Sequence, residues 1–441
     1  MNSTDTIHYT IYNRILDIYL CTFVFLIPLI FTNGYTNIVE TKYIVFIALS
    51  VTMFLAIIFA AITDKSDSLD HILETFKLKS YDISILVWYL FICLSTFLAN
   101  NRRVSISGEA GWYIGWTMYT IILITYICVR LFAHISKPLL ISFCISNIIT
   151  STIGILDTLD FRLLPMMQNN TNYLTTIGNI DWICGYFSVV LPILTGIVVS
   201  NKYNSNGPST QKTAYYTLQT IRFLSIASLI LTSTFALLQK AFSIYIVFSV
   251  VITYFILIYR QKAEKRYTVL LTFFIIFISA FYFVKIGLFS SILSFNMSWG
   301  NGRGASIAIG IECLRFFSIK EWAIGIGPDG LLKYISTNPT INTLMNSYFT
   351  APLVNTHCEP LTTLINTGIL GTIAYYVIWT TAIICIRKES TSSNILSFKS
   401  HIITMIILSY LFHNLVSFQQ IMNVPFIFIT LGLYEPNQSN I

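Results

Sequence analysis

The sequence predicts an all-α polytopic membrane protein of about twelve transmembrane helices, each needing about 20 apolar residues to cross the hydrocarbon. Three observations predict it. Charged residues make up only 10% of the 441 positions and hydrophobic ones 55%, against roughly 25% charged in ordinary globular chains. Mean hydropathy is +0.71. Stretches free of Asp, Glu, Lys and Arg also recur along the whole chain. This composition excludes a soluble enzyme, a coiled coil and a disordered chain.

The charge-free runs cover residues 18–39, 43–63, 83–101, 110–129, 138–156 and 182–201 in the first half. In the second half they cover 223–239, 241–259, 267–284, 360–386 and 402–434. The last is too long for one crossing. Its middle holds His413, Asn414, Ser417, Gln419, Gln420, Asn423 and Pro425, so it is divided into two spans. The first run is long and lacks a small-residue cleavage pattern, which predicts a retained membrane helix rather than a cleaved signal.

Loop charges set the orientation. With a cytoplasmic N-terminus, the even-numbered connections carry Lys65, Lys77, Lys79, Arg130, Lys137, Lys202, Lys212, Arg222, Arg260, Lys262, Lys265, Arg266, Arg387, Lys388 and Lys399. These are most of the chain's 26 basic residues. The positive-inside bias then places both termini in the cytoplasm, and the formal excess of +7 reports topology before it reports any ligand.

Three regions follow: spans one to nine (1–284), a long extracytoplasmic loop between spans nine and ten (285–355), and spans ten to twelve (356–441). A connection of that length is functional or disordered, and its composition argues for order. Ile307, Ile311 and Leu314 recur at helical spacing after Gly300-Asn301-Gly302-Arg303-Gly304. The segment to Phe317 therefore reads as an amphipathic helix near the outer membrane surface.

The eight cysteines show no CxxC or metal-type pairing, and most read as small hydrophobes. Cys313 and Cys358 are expected outside the apolar core, where a bridge between them is the alternative. No cofactor and no catalytic metal are expected.

Few charges remain to carry chemistry. Lys240 interrupts a long apolar stretch, so the chain must reverse there; the lysine either snorkels or binds an anion at the mouth of the bundle. Arg303 stands between glycines at a helix start, where its guanidinium and free backbone N–H groups suit a phosphate or diphosphate; a solvated loop arginine is the plainer alternative. Gly325-Ile326-Gly327-Pro328-Asp329-Gly330 matches a dinucleotide fingerprint by letters only, without a strand before it, and reads as a tight turn. His357 and Glu359 stand where the long loop re-enters the membrane. A histidine there can take a proton from a hydroxyl nucleophile or merely anchor the helix. Arg102, Arg103 and Arg162 lie on the outer side against the usual bias, either as topological noise or as a positive vestibule for anionic headgroups.

At these positions the chain resembles the O-antigen ligase family, which includes lipopolysaccharide ligases, Wzy-type polysaccharide polymerases and bacterial O-oligosaccharyltransferases. Asn355-Thr356-His357-Cys358-Glu359-Pro360-Leu361 followed by Asn366-Thr367-Gly368-Ile369-Leu370-Gly371 looks like the family's His-Asn-Glu pattern with a Gly-(apolar)-(apolar)-Gly close. Gly325-Ile326-Gly327-Pro328 is similar to its GxGP turn, and Arg303 to its loop arginine. Gly178-Asn179 with Gly185 resembles its Gly-Asn-Pro-Asn segment, with Ile180 and Asp181 in place of Pro-Asn. Gln239-Lys240-Ala241 stands at the place of a Ser-Arg-Gly pattern, and Cys358 replaces an Asn.

The resemblance implies a GT-C-like fold and a metal-independent, inverting glycosyltransferase in a bacterial cell membrane. Its donor would be a polyprenyl-diphosphate-linked glycan, and its acceptor a hydroxyl on a glycan, lipid or protein at the extracytoplasmic face. Lys240 and Arg303 would bind the diphosphate, His357 would activate or orient the acceptor, and Glu359 would position His357 or the acceptor. Membrane lipids are the expected surroundings, and no nucleic-acid partner is expected. A transporter or flippase of lipid-linked glycans is the competing class, and a non-catalytic membrane subunit a third.

Overall fold

The computed structural model describes residues 11–32, 35–63, 68–164, 174–203, 212–259, 296–389 and 394–434. The predicted ninth span at 267–284, Lys285, and Arg260 to Arg266 lie outside them. The described residues form a helical bundle with a smaller helical cap at one end. The bundle contains α1 (Ile11–Leu29), α2 (Tyr35–Thr63), α4 (Ser80–Leu98), α6 (Trp116–Phe132), α7 (Lys137–Thr158), α8 (Ile180–Tyr203), α9 (Lys212–Leu238) and α10 (Phe242–Tyr259). It continues with α15 (Glu359–Glu389), α16 (Asn394–Asn414) and α17 (Val424–Gly432). Short helices α3 (Ser68–Thr75) and α5 (Arg102–Ser107) sit in connections, and the cap consists of α11 (Trp299–Arg315), α12 (Ile319–Ile324), α13 (Leu331–Thr337) and α14 (Pro339–Tyr348).

Seven helices among the described residues are long and apolar enough to cross a membrane: Ile11–Leu29, Asn37–Thr63, Ser80–Leu98, Lys137–Thr158, Ile180–Val199, Gln219–Leu238 and Glu359–Lys388. Trp116–Phe132 and Ser243–Tyr254 are apolar but shorter. The chain is thus a multi-pass membrane protein. The run at 402–434 does break at its polar middle, but α17 beyond the break has nine residues. At 1.5 Å per residue that is about 14 Å, less than half the hydrocarbon, so α17 is a half-length helix where a full span was expected.

Local chemistry sets the helix ends. The Lys42 ammonium, buried at the start of α2, donates to the carbonyls of Ile27 (2.6 Å), Pro28 (3.3 Å) and Ile30 (2.7 Å), satisfying the C-terminus of α1. At α4 the Asp82 carboxylate accepts from the Lys79 N–H at 2.7 Å. Ser136 caps α7 by accepting from Leu139 N, with a proline at the helix start.

Long-range hydrogen bonds identify which ends lie together. At one end Thr176 Oγ1 donates to Pro28 O, Ser95 Oγ to Asn366 O, Gln239 Nε2 to Thr158 Oγ1, and Gln420 Nε2 to Asp181 O. At the other, Asn13 Nδ2 donates to Phe132 O, Ser84 pairs with Thr381, and Arg130 pairs with Asp82. The cap sits at the first end, and the connections carrying Lys77, Lys79, Arg130, Lys137, Arg387 and Lys388 lie at the second.

The cap has its own apolar cluster, including Ile309, Cys313, Ile326, Leu331, Ile335 and Ile341, and it joins Leu361 and Ile365 of α15. The helix expected over Arg303 to Phe317 is α11, but its buried face differs from the predicted stripe. Ile307 and Leu314 are only partly buried against the cluster, and Ile311 is 53% exposed, while Ala305, Ile309 and Cys313 are buried. The reason is close approach: a Cβ at Gly310 would stand 2.5 Å from Thr356 Cγ2 and 2.9 Å from Leu361 Cδ2. The face carrying Gly310 therefore turns inward together with Ile309 and Cys313, and Ile311 turns out. Cys313 and Cys358 are free thiols, Cys313 inside the cap cluster.

Candidate functional site

The Gly178-Asn179 segment builds one wall. Gly178 lies at φ +105°, and its N–H and carbonyl pair reciprocally with Leu174. The Asn179 side chain accepts from Asp181 N at 2.8 Å, which starts α8 and leaves the Asp181 carboxylate in its first turn. Four residues on, Gly185 makes room for the break before α17: a Cβ there would stand 1.7 Å from Gln420 Nε2. Gln420 in turn donates to Asp181 O at 3.1 Å, and its N–H donates to Asn423 Oδ1 at 2.9 Å.

Arg303 and His357 converge on Asp181. Gly300 and Gly302, at φ +61° and +93°, wind the chain so that Arg303 lies inside the irregular first turns of α11 rather than ahead of the helix. Its Nη2 donates to Asp181 Oδ1 at 2.5 Å. His357 adopts φ +51°, held by its N–H donating to Asn355 Oδ1 at 3.1 Å, and its ring stands edge-on to Phe418 at 5.1 Å. His357 Nε2 lies 3.9 Å from Asp181 Oδ2, beyond hydrogen-bond reach, and Nδ1 is buried without a partner. Burial lowers the imidazole pKa from its ordinary value; the Asp181 charge opposes this and Arg303 adds to it. The ring is therefore neutral at pH 7, which is the form that accepts a proton.

Glu359 faces away from this cluster. Its carboxylate accepts from Thr363 Oγ1 (2.5 Å), Gln419 N (2.9 Å) and Gln419 Nε2 (2.7 Å), and Tyr119 OH donates to Gln419 Oε1 at 2.8 Å. The carboxylate nearest His357 is that of Asp181. Glu359 still bears on the histidine indirectly, because it fixes Gln419, whose neighbour Phe418 packs on the imidazole.

Lys240 marks the reversal between α9 and α10, at φ +51° with its N–H donating to Leu237 O. The side chain is exposed and is not in contact with Arg303 or His357. It lies at the same end of the bundle, since the adjacent Gln239 bonds Thr158 there.

Asp181 and His413 are the members that sequence reasoning did not assign to the site. His413, fully buried at the end of α16, has Nδ1 3.0 Å from Asn414 Oδ1, and its Nε2 is without a partner. It lies within electrostatic reach of Arg303 and Asp181. A carboxylate two residues after Gly178-Asn179, at the start of an apolar run, was the available signal for Asp181. For His413 it was a histidine inside the apolar run that ends the chain.

The GxGP turn lies beside the site and docks the cap. The Asp329 carboxylate, buried in a cavity of about 30 Å³ shared with Glu359 and Asn366, accepts from Ile114 N (2.8 Å) and Glu109 N (3.1 Å). Burial pushes its pKa from 3.8 up to about 6, with the neighbouring Glu109 adding to the rise. Between those values the native state holds a proton that the unfolded chain has lost. The contribution of Asp329 to stability is therefore greatest below about pH 4, falls as pH rises, and reaches its low plateau above about pH 6, a change of order 3 kcal/mol. Asp329→Asn is expected to flatten this dependence and to raise the unfolding temperature in detergent above pH 6. An unchanged pH profile in that variant would refute the assignment.

No protein-family model matches the chain, and no curated protein matches it.

Proposed function

We propose that the protein is a membrane glycosyltransferase of the O-antigen ligase and polymerase type, carrying a glycan from a polyprenyl-diphosphate donor to an acceptor hydroxyl. The observation that carries this reading is the convergence of Arg303 and His357 on Asp181 where the cap meets the bundle. It sets an anion-binding guanidinium beside a neutral imidazole with a free nitrogen. One guanidinium N–H is committed to Asp181, and four of the five donors of an arginine remain for diphosphate oxygens.

In this reading the acceptor oxygen attacks the anomeric carbon, its proton passes to His357, and the bond from that carbon to the diphosphate breaks with its electron pair leaving on the phosphate oxygen. Attack opposite the leaving group inverts the centre. Arg303 stabilises the departing charge, and Lys240 adds a second cation at the rim. Glu359 positions His357 through Gln419 and Phe418. No metal or cofactor enters the scheme. The bundle would be GT-C-like with about twelve spans, in a bacterial cell membrane. The basic connections at the far end argue for that end being cytoplasmic, along with both termini, and for an extracytoplasmic site.

A flippase of lipid-linked glycans would want its charged groups near the centres of spans, whereas Asp181, Arg303, Lys240 and His357 all lie at one end. Purified protein in proteoliposomes with a lipid-linked oligosaccharide is expected to form new glycosidic linkages. The rate should stay flat through neutral pH and fall only on the acid side, at a pH below the ordinary histidine value, because the imidazole must be neutral to act. Movement of the lipid-linked sugar without a new linkage would overturn the enzyme reading in favour of transport, and neither product would favour a non-catalytic subunit.

A further inference from the structure

The basic residues at the outer end of α4 have no part in the scheme above. The α4 span ends at Leu98, and its exposed side, Leu90, Leu94, Phe97 and Leu98, is apolar, as a lipid-facing surface must be. A span that ends at Leu98 puts the boundary between hydrocarbon and headgroups at the residues just beyond it. There a cleft of about 250 Å³ opens between the end of α4 and the cap, with Asn100 and Asn101 on one wall and Lys320, Lys333 and Tyr334 on the other.

Its chemistry is that of a membrane interface. Ile319 is 91% exposed and Trp322 is also exposed, so an isoleucine and an indole flank Lys320 on a single helical turn, the composition of an interfacial anchor. Lys320 Nζ donates to Leu98 O, the end of the span, which leaves two of its three donors. Lys333 is exposed, and Arg102 and Arg103, which follow Asn101 directly, are exposed as well. Glu321 is the one acidic residue in the cleft wall, and its carboxylate is used internally, accepting from Ser318 N and Oγ at 2.8 Å each.

We propose that this cleft binds the headgroup of an anionic phospholipid. The phosphodiester lies between Lys320 and Lys333, the Asn100 and Asn101 amides donate to its oxygens, and the acyl chains run along Phe97 and Leu94 of α4. The site is separate from the Arg303, Asp181 and His357 cluster, and the proposal does not rest on the glycosyltransferase reading. A bound lipid would hold α12 and α13 of the cap against the bundle at the membrane surface.

The test is quenching of Trp322 fluorescence, taken as the difference between the native protein and Trp322→Phe, in nanodiscs containing brominated phosphatidylglycerol or brominated phosphatidylcholine at equal mole fraction. Phosphatidylglycerol is expected to quench this component markedly more than phosphatidylcholine at each matched mole fraction. Lys333→Gln, which alters an exposed side chain, is expected to reduce that preference about fivefold, and Lys320→Gln with Lys333→Gln about 25-fold, each basic residue near the surface contributing a factor of roughly five. Equal quenching by the two lipids, or an unchanged preference in Lys333→Gln, overturns the proposal. Loss of the phosphatidylglycerol signal on adding soluble glycerol phosphate overturns the lipid assignment in favour of a free phosphate ligand.

Discussion

Arg303→Ala and His357→Ala are each expected to reduce glycan transfer by about 10² to 10⁴-fold in a reconstituted assay while leaving the protein's abundance in the membrane unchanged. For Arg303 the argument is electrostatic. A departing diphosphate gains charge in the transition state, and a preorganised donor aimed at developing charge contributes about 10² to 10³ in rate. Arg303→Lys keeps the charge and loses the fork that meets two oxygens at once, so an intermediate loss is expected. For His357 the argument is proton transfer, which contributes about 10² to 10⁴-fold. Folding should be spared because the side chains of Arg303, Asp181 and His357 are 13%, 24% and 24% exposed, so an unpaired Asp181 keeps contact with water. Asp181→Asn separates structural from chemical roles: it can still accept from Arg303, but it removes the charge that supports protonation of His357. The acid limb of the rate profile should then move to lower pH. Near-native transfer in both alanine variants would end the proposed mechanism.

Properties decided locally were legible in the sequence. A membrane span must satisfy its own backbone in hydrocarbon, so charge-free runs mark α1, α2, α4, α7, α8, α9 and α15 without reference to any neighbour. The reversal at Lys240 was legible because no helix of that length fits the bilayer. The break before α17 was legible because His413, Asn414, Gln419, Gln420 and Asn423 cannot all face lipid. What depends on a distant partner was not legible. Asp181 meets Arg303 across 122 positions, and Gln419 meets Glu359 across 60; no periodicity records either pairing. The buried face of α11 was misjudged for the same reason, since Gly310 turns inward only because Thr356 and Leu361 come close to it. The resemblance implied that Glu359 positions His357 or the acceptor, but not that the first turn of α15 would aim its carboxylate at Gln419.

The crossing of the GxGP turn over the kink in α15 predicts the largest loss of stability. Gly325 and Gly368 stand at φ +75° and +67°, and their backbones pass in contact. A Cβ on Gly325 would lie 2.3 Å from Asn366 O and 2.4 Å from Thr367 N; one on Gly368 would lie 2.4 Å from both Ala323 C and Ile324 N. These obstacles are main chain, which cannot rotate aside as a long side chain does. The same crossing carries the bonds Ile326 N to Ile365 O (3.0 Å) and Gly327 N to Asn366 O (2.9 Å). With ψ at −170° and −173°, both glycines sit in an extended positive-φ region open essentially to glycine, so alanine at either costs roughly 1–3 kcal/mol for the backbone and roughly 1–3 kcal/mol for overpacking. Relieving the clash by breaking the two bonds would cost a comparable amount in place of the overpacking, so about 4 kcal/mol is expected for each variant. Gly432→Ala is the control: the nearest atom to its Cβ is Val129 Cγ1 at 3.0 Å, and the gain of about 1 kcal/mol in helix propensity offsets that contact. Thermal unfolding in detergent should therefore leave Gly432→Ala near the native protein and bring Gly325→Ala and Gly368→Ala far below it. The double variant should lose much less than the sum, because one separation of the two backbones relieves both clashes. Additive losses would mean that the two glycines act independently and that no such crossing holds the cap. Since α11 carries Arg303 and the segment before α15 carries His357, loosening this crossing should also lower transfer in protein that remains folded.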